Sequence, residues 1–197
     1  MYAVGLSQIL IFGNENIIAL TPMQLLLATA IVLLYVGPWH PRLIFALVSI
    51  YLAGLGVEIL GVKTGFPFGN YHYGPILGPK IAGTPLLIGI NWVLVIVGTV
   101  HFARAVAPRF SPLGITILSA TFAVLLDLLI EPIAVAFNMW NWTQEDIPPS
   151  NFISWWILAA LFSAIYQFWG NKSYHWVVIY VYIWLFIFFG SLYIFYL

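Results

Sequence analysis

The chain has 197 residues, of which 63% are hydrophobic and 18% aromatic, while only 6% carry a charge. Soluble domains carry roughly 25% charged residues and are about half apolar, so this composition excludes a water-soluble globule. Six basic residues balance six acidic ones and form no basic cluster, which argues against nucleic acid as a partner, and the absence of cysteine removes disulfides, thiolate catalysis and cysteine-ligated metals.

The apolar stretches come in blocks near the ~20 residues that cross a hydrocarbon core as helix. The expected fold class is therefore all-α, a polytopic membrane bundle of about six transmembrane helices in a single domain, 1–197. Residues 1–16 hold a short apolar run, Val4 to Phe12, closed by Gly-Asn-Glu-Asn, which reads as a short interfacial helix rather than a span; nothing there has the basic start and cleavage site of a removable signal peptide. The first span is expected at 17–36 and stops at Gly37-Pro38, and Pro41-Arg42 opens the second at 42–62. A loop follows at 63–84, KTGFPFGNYHYGPILGPKIAGT, long for a bundle connection and therefore a place to look for function. Span three is expected at 85–106 and span four at 113–137. After a second aromatic loop, NMWNWTQEDIPPSN, come span five at 152–170 and span six at 174–197.

Arg42, Arg104, Arg109 and Lys172 lie on the side reached after odd-numbered spans, against Lys63 and Lys80 on the other. The positive-inside rule then places both termini away from the cytoplasm, in the cytoplasmic (inner) membrane.

Carboxylates inside a bilayer cost about 2.5–3.5 kcal/mol each at a helix centre on insertion scales, so each needs a reason. Glu58, Asp127 and Glu131 all fall inside expected spans. Spans two and four run in the same direction, and counting along each places Glu58 and Glu131 at nearly equal depth, towards the non-cytoplasmic face. Asp127 and Glu131, four residues apart, share one helix face. Three acids thus converge beneath the two aromatic loops. A faint internal repeat points the same way. Glu58, then Tyr71 and Tyr73, then Pro85 seven residues before Trp92, parallels Glu131, then Trp140 and Trp142, then Pro149 seven residues before Trp156.

The competing reading is that the acids are neutral, or paired with Lys63, Lys80, His72 or His101, and only lock helices together. Trp155, Trp156, Trp169, Trp176 and Trp184 equally fit interfacial anchoring. His40 and His175 sit at span ends, and His101 reads as a hydrogen-bonded bundle histidine. Histidine is too scattered for a metal site, so no metal is expected.

Residues 57–92, VEILGVKTGFPFGNYHYGPILGPKIAGTPLLIGINW, together with DLLIEPIAVAFNMWNW at 127–142 and IPPSNFISWW at 147–156, resemble the carotenoid biosynthesis membrane-protein family. Its best-known members are carotenoid 1',2'-hydratases acting on γ-carotene, lycopene or bisanhydrobacterioruberin. The resemblance implies a hydrophobic carotenoid substrate reached through membrane lipid, no cofactor, and other carotenoid biosynthesis enzymes as candidate partners.

Hydration of an acyclic end group puts a proton on C2 and hydroxyl from water on C1, through a tertiary carbocation. That chemistry needs a dry carboxylic acid, an aromatic wall that steadies positive charge, and a base that orients one water. On the resemblance, Asp127 and Glu131 are the expected acid/base pair. Glu58 opposite is the water-orienting partner or alternative proton donor. Phe66, Phe68, Tyr71, Tyr73, Trp92, Trp140 and Trp142 are the expected cation-stabilising or polyene-clamping residues, with Asn91 and Asn141 bonding the water or a carboxylate. The rival readings are a lycopene cyclase using the same protonation step, and a non-catalytic polyene-binding or transport protein.

Overall fold

Proline and glycine set most of the helix boundaries. In the computed structural model, which describes residues 2–144 and 146–197, α1 covers Tyr2–Leu10 and a short 3-10 turn, Glu15–Leu20, leads into α2, Thr21–Tyr35. The remaining helices are α3 (Pro41–Thr64), α4 (Leu87–Val106), α5 (Pro112–Ala136), α6 (Pro149–Trp169) and α7 (Trp176–Phe195). Pro41, Pro112 and Pro149 each occupy a first turn, where their missing N–H is not needed. His40, Ser111 and His175 cap α3, α5 and α7 with side-chain acceptors. Gly65 closes α3 in the left-handed conformation.

Six segments, Glu15–Tyr35 and α3 to α7, are long and apolar enough to cross a bilayer among the described residues. Their outer faces carry large apolar side chains such as Leu34, Phe168 and Ile194, all well exposed. No water-soluble surface tolerates so wide an apolar belt, and the chain is an integral membrane protein with an all-α polytopic bundle. The expected short N-terminal helix is present as α1. Its nine residues are too few to span, and Tyr2, Gly5 and Ile9 bury one face against the bundle, with the Tyr2 ring 5.7 Å from Phe188 of α7.

Helix α4 sits at the centre, its apolar window far more buried than those of the other spans. It packs against α2, α3, α5, α6 and α7. At the basic end of the bundle, Asn171 is the knot. Its side chain donates to the Val36 carbonyl at 2.9 Å and bonds His40 Nε2 at 3.0 Å, and its own carbonyl accepts from Arg104 at 2.6 Å. His101 is fully buried. Its Nδ1 accepts from the His175 backbone N–H at 3.0 Å, so Nε2 carries the hydrogen and donates to the Tyr166 hydroxyl at 3.0 Å. His101 is thus the hydrogen-bonded bundle histidine that its position in a span suggested, while His40, at a span end, ties α3 to Asn171.

The opposite end departs from expectation. The two aromatic loops are not irregular; Tyr71–Tyr73 (β1) and Trp140–Trp142 (β2) pair as antiparallel strands with Tyr71 opposite Trp142, His72 opposite Asn141 and Tyr73 opposite Trp140. A second small ladder joins Lys80–Ile81 (β3) to Thr84–Pro85 (β4). The β1–β2 pair is extended at one end by Thr143 N–H to Asn70 carbonyl at 2.9 Å and at the other by Gly74 N–H to Met139 carbonyl at 2.8 Å. Gly74 is obligatory there, because a Cβ would run into the Asn138 carbonyl. Backbone polar groups of both strands are thereby paired at the rim of an apolar bundle, where leaving them bare is costly.

Candidate active site

Strand pairing is what aims the aromatic side chains. Alternate residues of a strand point to one face, so Tyr71 and Tyr73 turn inward while His72 faces out, and opposite them Trp140 and Trp142 turn inward while Asn141 faces out. The Tyr71 ring lies 5.1 Å from Trp142 and the Tyr73 ring 6.0 Å from Trp140. This aromatic sheet closes one end of the bundle directly over two glutamates. Glu58 is six residues before the end of α3 and Glu131 five before the end of α5, which puts each roughly 8–9 Å below its helix end at ~1.5 Å per residue.

The hydrogen bonds form two matched sets. The hydroxyls of Tyr71 and Tyr73 donate to Oε2 of Glu58 at 2.6 and 2.7 Å, and Trp92 Nε1 donates to Oε1 at 3.1 Å. The indoles of Trp140 and Trp142 donate to Oε2 of Glu131 at 3.0 and 2.9 Å, and Asn151 Nδ2 donates to Oε1 at 3.1 Å. Asn151 Nδ2 also donates to Oδ2 of Asp127 at 3.1 Å, joining the two acids of α5. The amide orientation follows from its partners, since a carbonyl oxygen would repel both carboxyl groups. All six donor groups are uncharged. Lys80 and His101, two of the partners offered by the bland reading, are engaged elsewhere, Lys80 with the Tyr73 carbonyl at 2.6 Å. Burial, and then the neighbouring Glu58 carboxyl, push the Tyr71 and Tyr73 hydroxyls well above the ordinary phenol range, so both remain donors.

A cavity of about 30 Å³ lies between these groups. Of the residues expected from sequence, Glu58, Phe68, Tyr71 and Tyr73 line it from the α3 side, and Asn91, Glu131, Trp140 and Trp142 complete the wall. Asp127 and Trp92 lie behind the wall and reach it through hydrogen bonds. Two expected residues are elsewhere. Phe66 is 70% exposed because the backbone turns through residues 66–68, and Asn141, on the outer face of β2, bonds the Asn138 side chain instead. Two residues were missed: Asn151, which reads in sequence as an ordinary helix-start residue, and Trp155, which reads as an interfacial anchor but is buried and stacks on Trp92 with centroids 4.0 Å apart. The serines of the same stretch were the available signal. Ser150 donates to the Phe68 carbonyl at 2.8 Å and Ser154 to the Pro67 carbonyl at 2.9 Å, which fastens the Phe68 turn onto α6.

The internal repeat holds in its first half and fails in its second. Each glutamate takes two donors from the strand that follows it. Trp156, however, is exposed and donates to Thr121, so it is no counterpart of Trp92. Asn151 fills that place.

The sequence profile described as "Carotenoid biosynthesis protein" matches residues 20–196. The chain belongs to the carotenoid biosynthesis protein family. Among curated relatives, the bisanhydrobacterioruberin hydratase of Haloarcula japonica is 29% identical over 134 residues, which cover 65% of this chain and 46% of that protein. The chain thus spans about half the length of the relative it matches. No solved structure matches it. The carotenoid biosynthesis family membership covers every site residue named above, whereas α1 lies outside the matched region.

Packing beneath the site supplies a test of its rigidity. Trp92 is fully buried, and a Cβ on Gly54 of α3 would meet its Cγ at 2.6 Å. Gly54→Ala is expected to displace the indole from Glu58 and to cost about 1–3 kcal/mol by overpacking, read as a lowered midpoint of thermal unfolding in detergent. An unchanged midpoint would show that Trp92 is not held in this position.

Proposed function

We propose that this chain is a membrane-embedded, cofactor-independent carotenoid hydratase, adding water across the terminal C1=C2 bond of an acyclic carotenoid end group. The observation that supports this most is the pairing of Glu58 and Glu131 across one aromatic-walled cavity of about 30 Å³, which has the volume and polar partners for one water. The family match and the hydratase relative favour the same chemistry.

Donor types suggest how the roles divide. Every partner of Glu131 is an N–H that can only donate, which suits a carboxylate held as base. Two partners of Glu58 are hydroxyls, which can also accept, so Glu58 can carry a proton without leaving a bare donor. In the proposed reaction Glu58 protonates C2 and the C1=C2 π pair forms the new C–H bond. The cation at C1 is steadied by the indole and phenol faces. Water bonded to Glu131 attacks C1 and leaves its surplus proton on that carboxylate, and proton return to Glu58 resets the site. This gives Glu58 the donor role that the sequence reading held as an alternative, with Asp127 as the acid behind Glu131.

The excess of Lys and Arg at the other end of the bundle favours a cytoplasmic-membrane location with both termini outside, which would open the carboxylate end on the non-cytoplasmic half. Expression in lycopene-producing cells tests the activity: pigment gaining the mass of one or two waters is the expected result. Lycopene recovered at unchanged mass with an unchanged chromatographic position would overturn it, and unchanged mass with a cyclic product would make the protein a cyclase.

A further inference from the structure

A second cavity, of about 80 Å³, adjoins the carboxylate chamber, and Ile88, Asn91 and Trp140 belong to both walls. Apart from Thr21 and Gln24 its remaining lining is aliphatic, aromatic or Met139, and it comes from α1, α2, α4, α5 and α7 with the 3-10 turn and the loop residues Leu77 and Met139. A third hollow, of about 250 Å³, lies between α1, the 3-10 turn and α2, and shares Ile18, Thr21, Gln24 and Phe188 with the second. Its outer rim is made of Val4, Met23 and Leu27, apolar side chains exposed on the face of the bundle that meets lipid. The three spaces lie end to end, each sharing wall side chains with the next, from the lipid face to the two glutamates.

We propose that this series of spaces is the channel for a linear polyene, which enters between α1 and α2 and presents its terminal double bond past Asn91 to Glu58 and Glu131. The inference rests on the hydratase reading for the identity of the occupant. Three observations favour it. The path is lined mainly by aliphatic and aromatic side chains, with Thr21 and Gln24 as polar members along it and Asn91 at the step into the carboxylate chamber. A larger groove, of about 390 Å³ between α2, α3 and α4, shares no lining residue with the chamber. The inner space is also narrow. An apolar cavity of ~150 Å³ accommodates benzene, so the 80 Å³ here suits the branched tip of an open chain and not a six-membered end ring. This would make the protein selective for acyclic ends. The wall supplied by α1 lies outside the region matched to the family.

The full chain in detergent, labelled with a C20 linear isoprenoid bearing a diazirine about midway along its chain, tests the channel. Cross-links on the Thr21–Leu27 stretch of α2 and around Phe188, reduced at least fivefold by excess lycopene, are expected. Cross-links centred on Val48 and Tyr51, or labelling that lycopene does not reduce, would overturn it. In parallel, Gln24→Trp is expected to lower the lycopene retained per protein at least tenfold, while Val48→Trp in the unconnected groove leaves retention unchanged. Equal retention in both variants would overturn the channel, and if Gln24→Trp fails to accumulate the labelling of the unaltered chain decides. Lycopene hydrated normally by Gln24→Trp sinks the channel and leaves the hydratase reading; competed labelling without any gain of water sinks the hydratase reading and leaves the channel.

Discussion

Glu58→Gln and Glu131→Gln are each expected to lower lycopene hydration by about 10²–10⁴-fold, the usual worth of a positioned acid or base, while the protein still reaches the membrane and retains pigment. Both side chains line the proposed water cavity, and glutamine preserves their volume while removing the ionisable carboxyl group. The amide also brings a mismatch. At position 58 its carbonyl can accept from the two tyrosines, but its NH2 then meets the Trp92 indole, another donor; at position 131 it meets Asn151 in the same way. An unmade buried bond costs about 1–3 kcal/mol, so thermal midpoint and pigment retention are measured beside turnover. Asp127→Asn is expected to cost less, about tenfold, because Asp127 does not line the cavity and acts through Asn151. Turnover lost in Asp127→Asn but kept in Glu58→Gln would return the proton-donor role to Asp127.

The helical bundle was legible because its signals are local. Pro41, Pro112 and Pro149 open helices in the structure as their chemistry predicts, and the observed spans differ from the expected ones by at most three residues at their shared ends. The carboxylates were legible for a different reason: the cost of an acid in hydrocarbon singles out Glu58, Asp127 and Glu131 without knowledge of their neighbours. What joins them was not legible. Tyr-His-Tyr and Trp-Asn-Trp are too short to read as strands, and each becomes one only because the other lies beside it. That pairing decides which side chains face the glutamates, and it is why His72 and Asn141 face away. Phe66 and Phe68, two apart in one Gly-Phe-Pro-Phe run, would share a side if extended; the turn through 66–68 separates them. Trp155 and Trp156 illustrate the same limit on a helix. Neighbours in sequence point about 100° apart around a helix of 3.6 residues per turn, so one stacks on Trp92 and the other meets lipid.

On the proposed hydratase reading, the two matched donor sets would favour capture of a water over an internal double bond. Oε2 of each glutamate is already held by two donors from the aromatic sheet, which fixes both carboxyl planes. Both glutamates line the same space, which is sized for one water. A cyclase would need that volume for the folding polyene chain.

Asn151→Leu is expected to lower hydration about 10- to 100-fold with pigment retention unchanged. Leucine is close to asparagine in size, so the change removes two N–H bonds without opening a hole. Hydrogen bonds to charged groups are worth about 1.5–3 kcal/mol, and each ~1.4 kcal/mol of transition-state stabilisation is tenfold in rate. Asn151 is 2% exposed and holds the only hydrogen bond to Asp127 among the described residues, so its loss frees Asp127 and unpins Oε1 of Glu131 together. Asn151→Asp is expected to be worse, because it sets a third acid against the other two at the start of α6. A purely packing role for Asn151 predicts that the leucine variant hydrates lycopene at the unaltered rate. Equal turnover in that variant, at equal retained pigment, would therefore remove Asn151 from the mechanism and leave the Glu131 carboxylate oriented by the indoles of Trp140 and Trp142 alone.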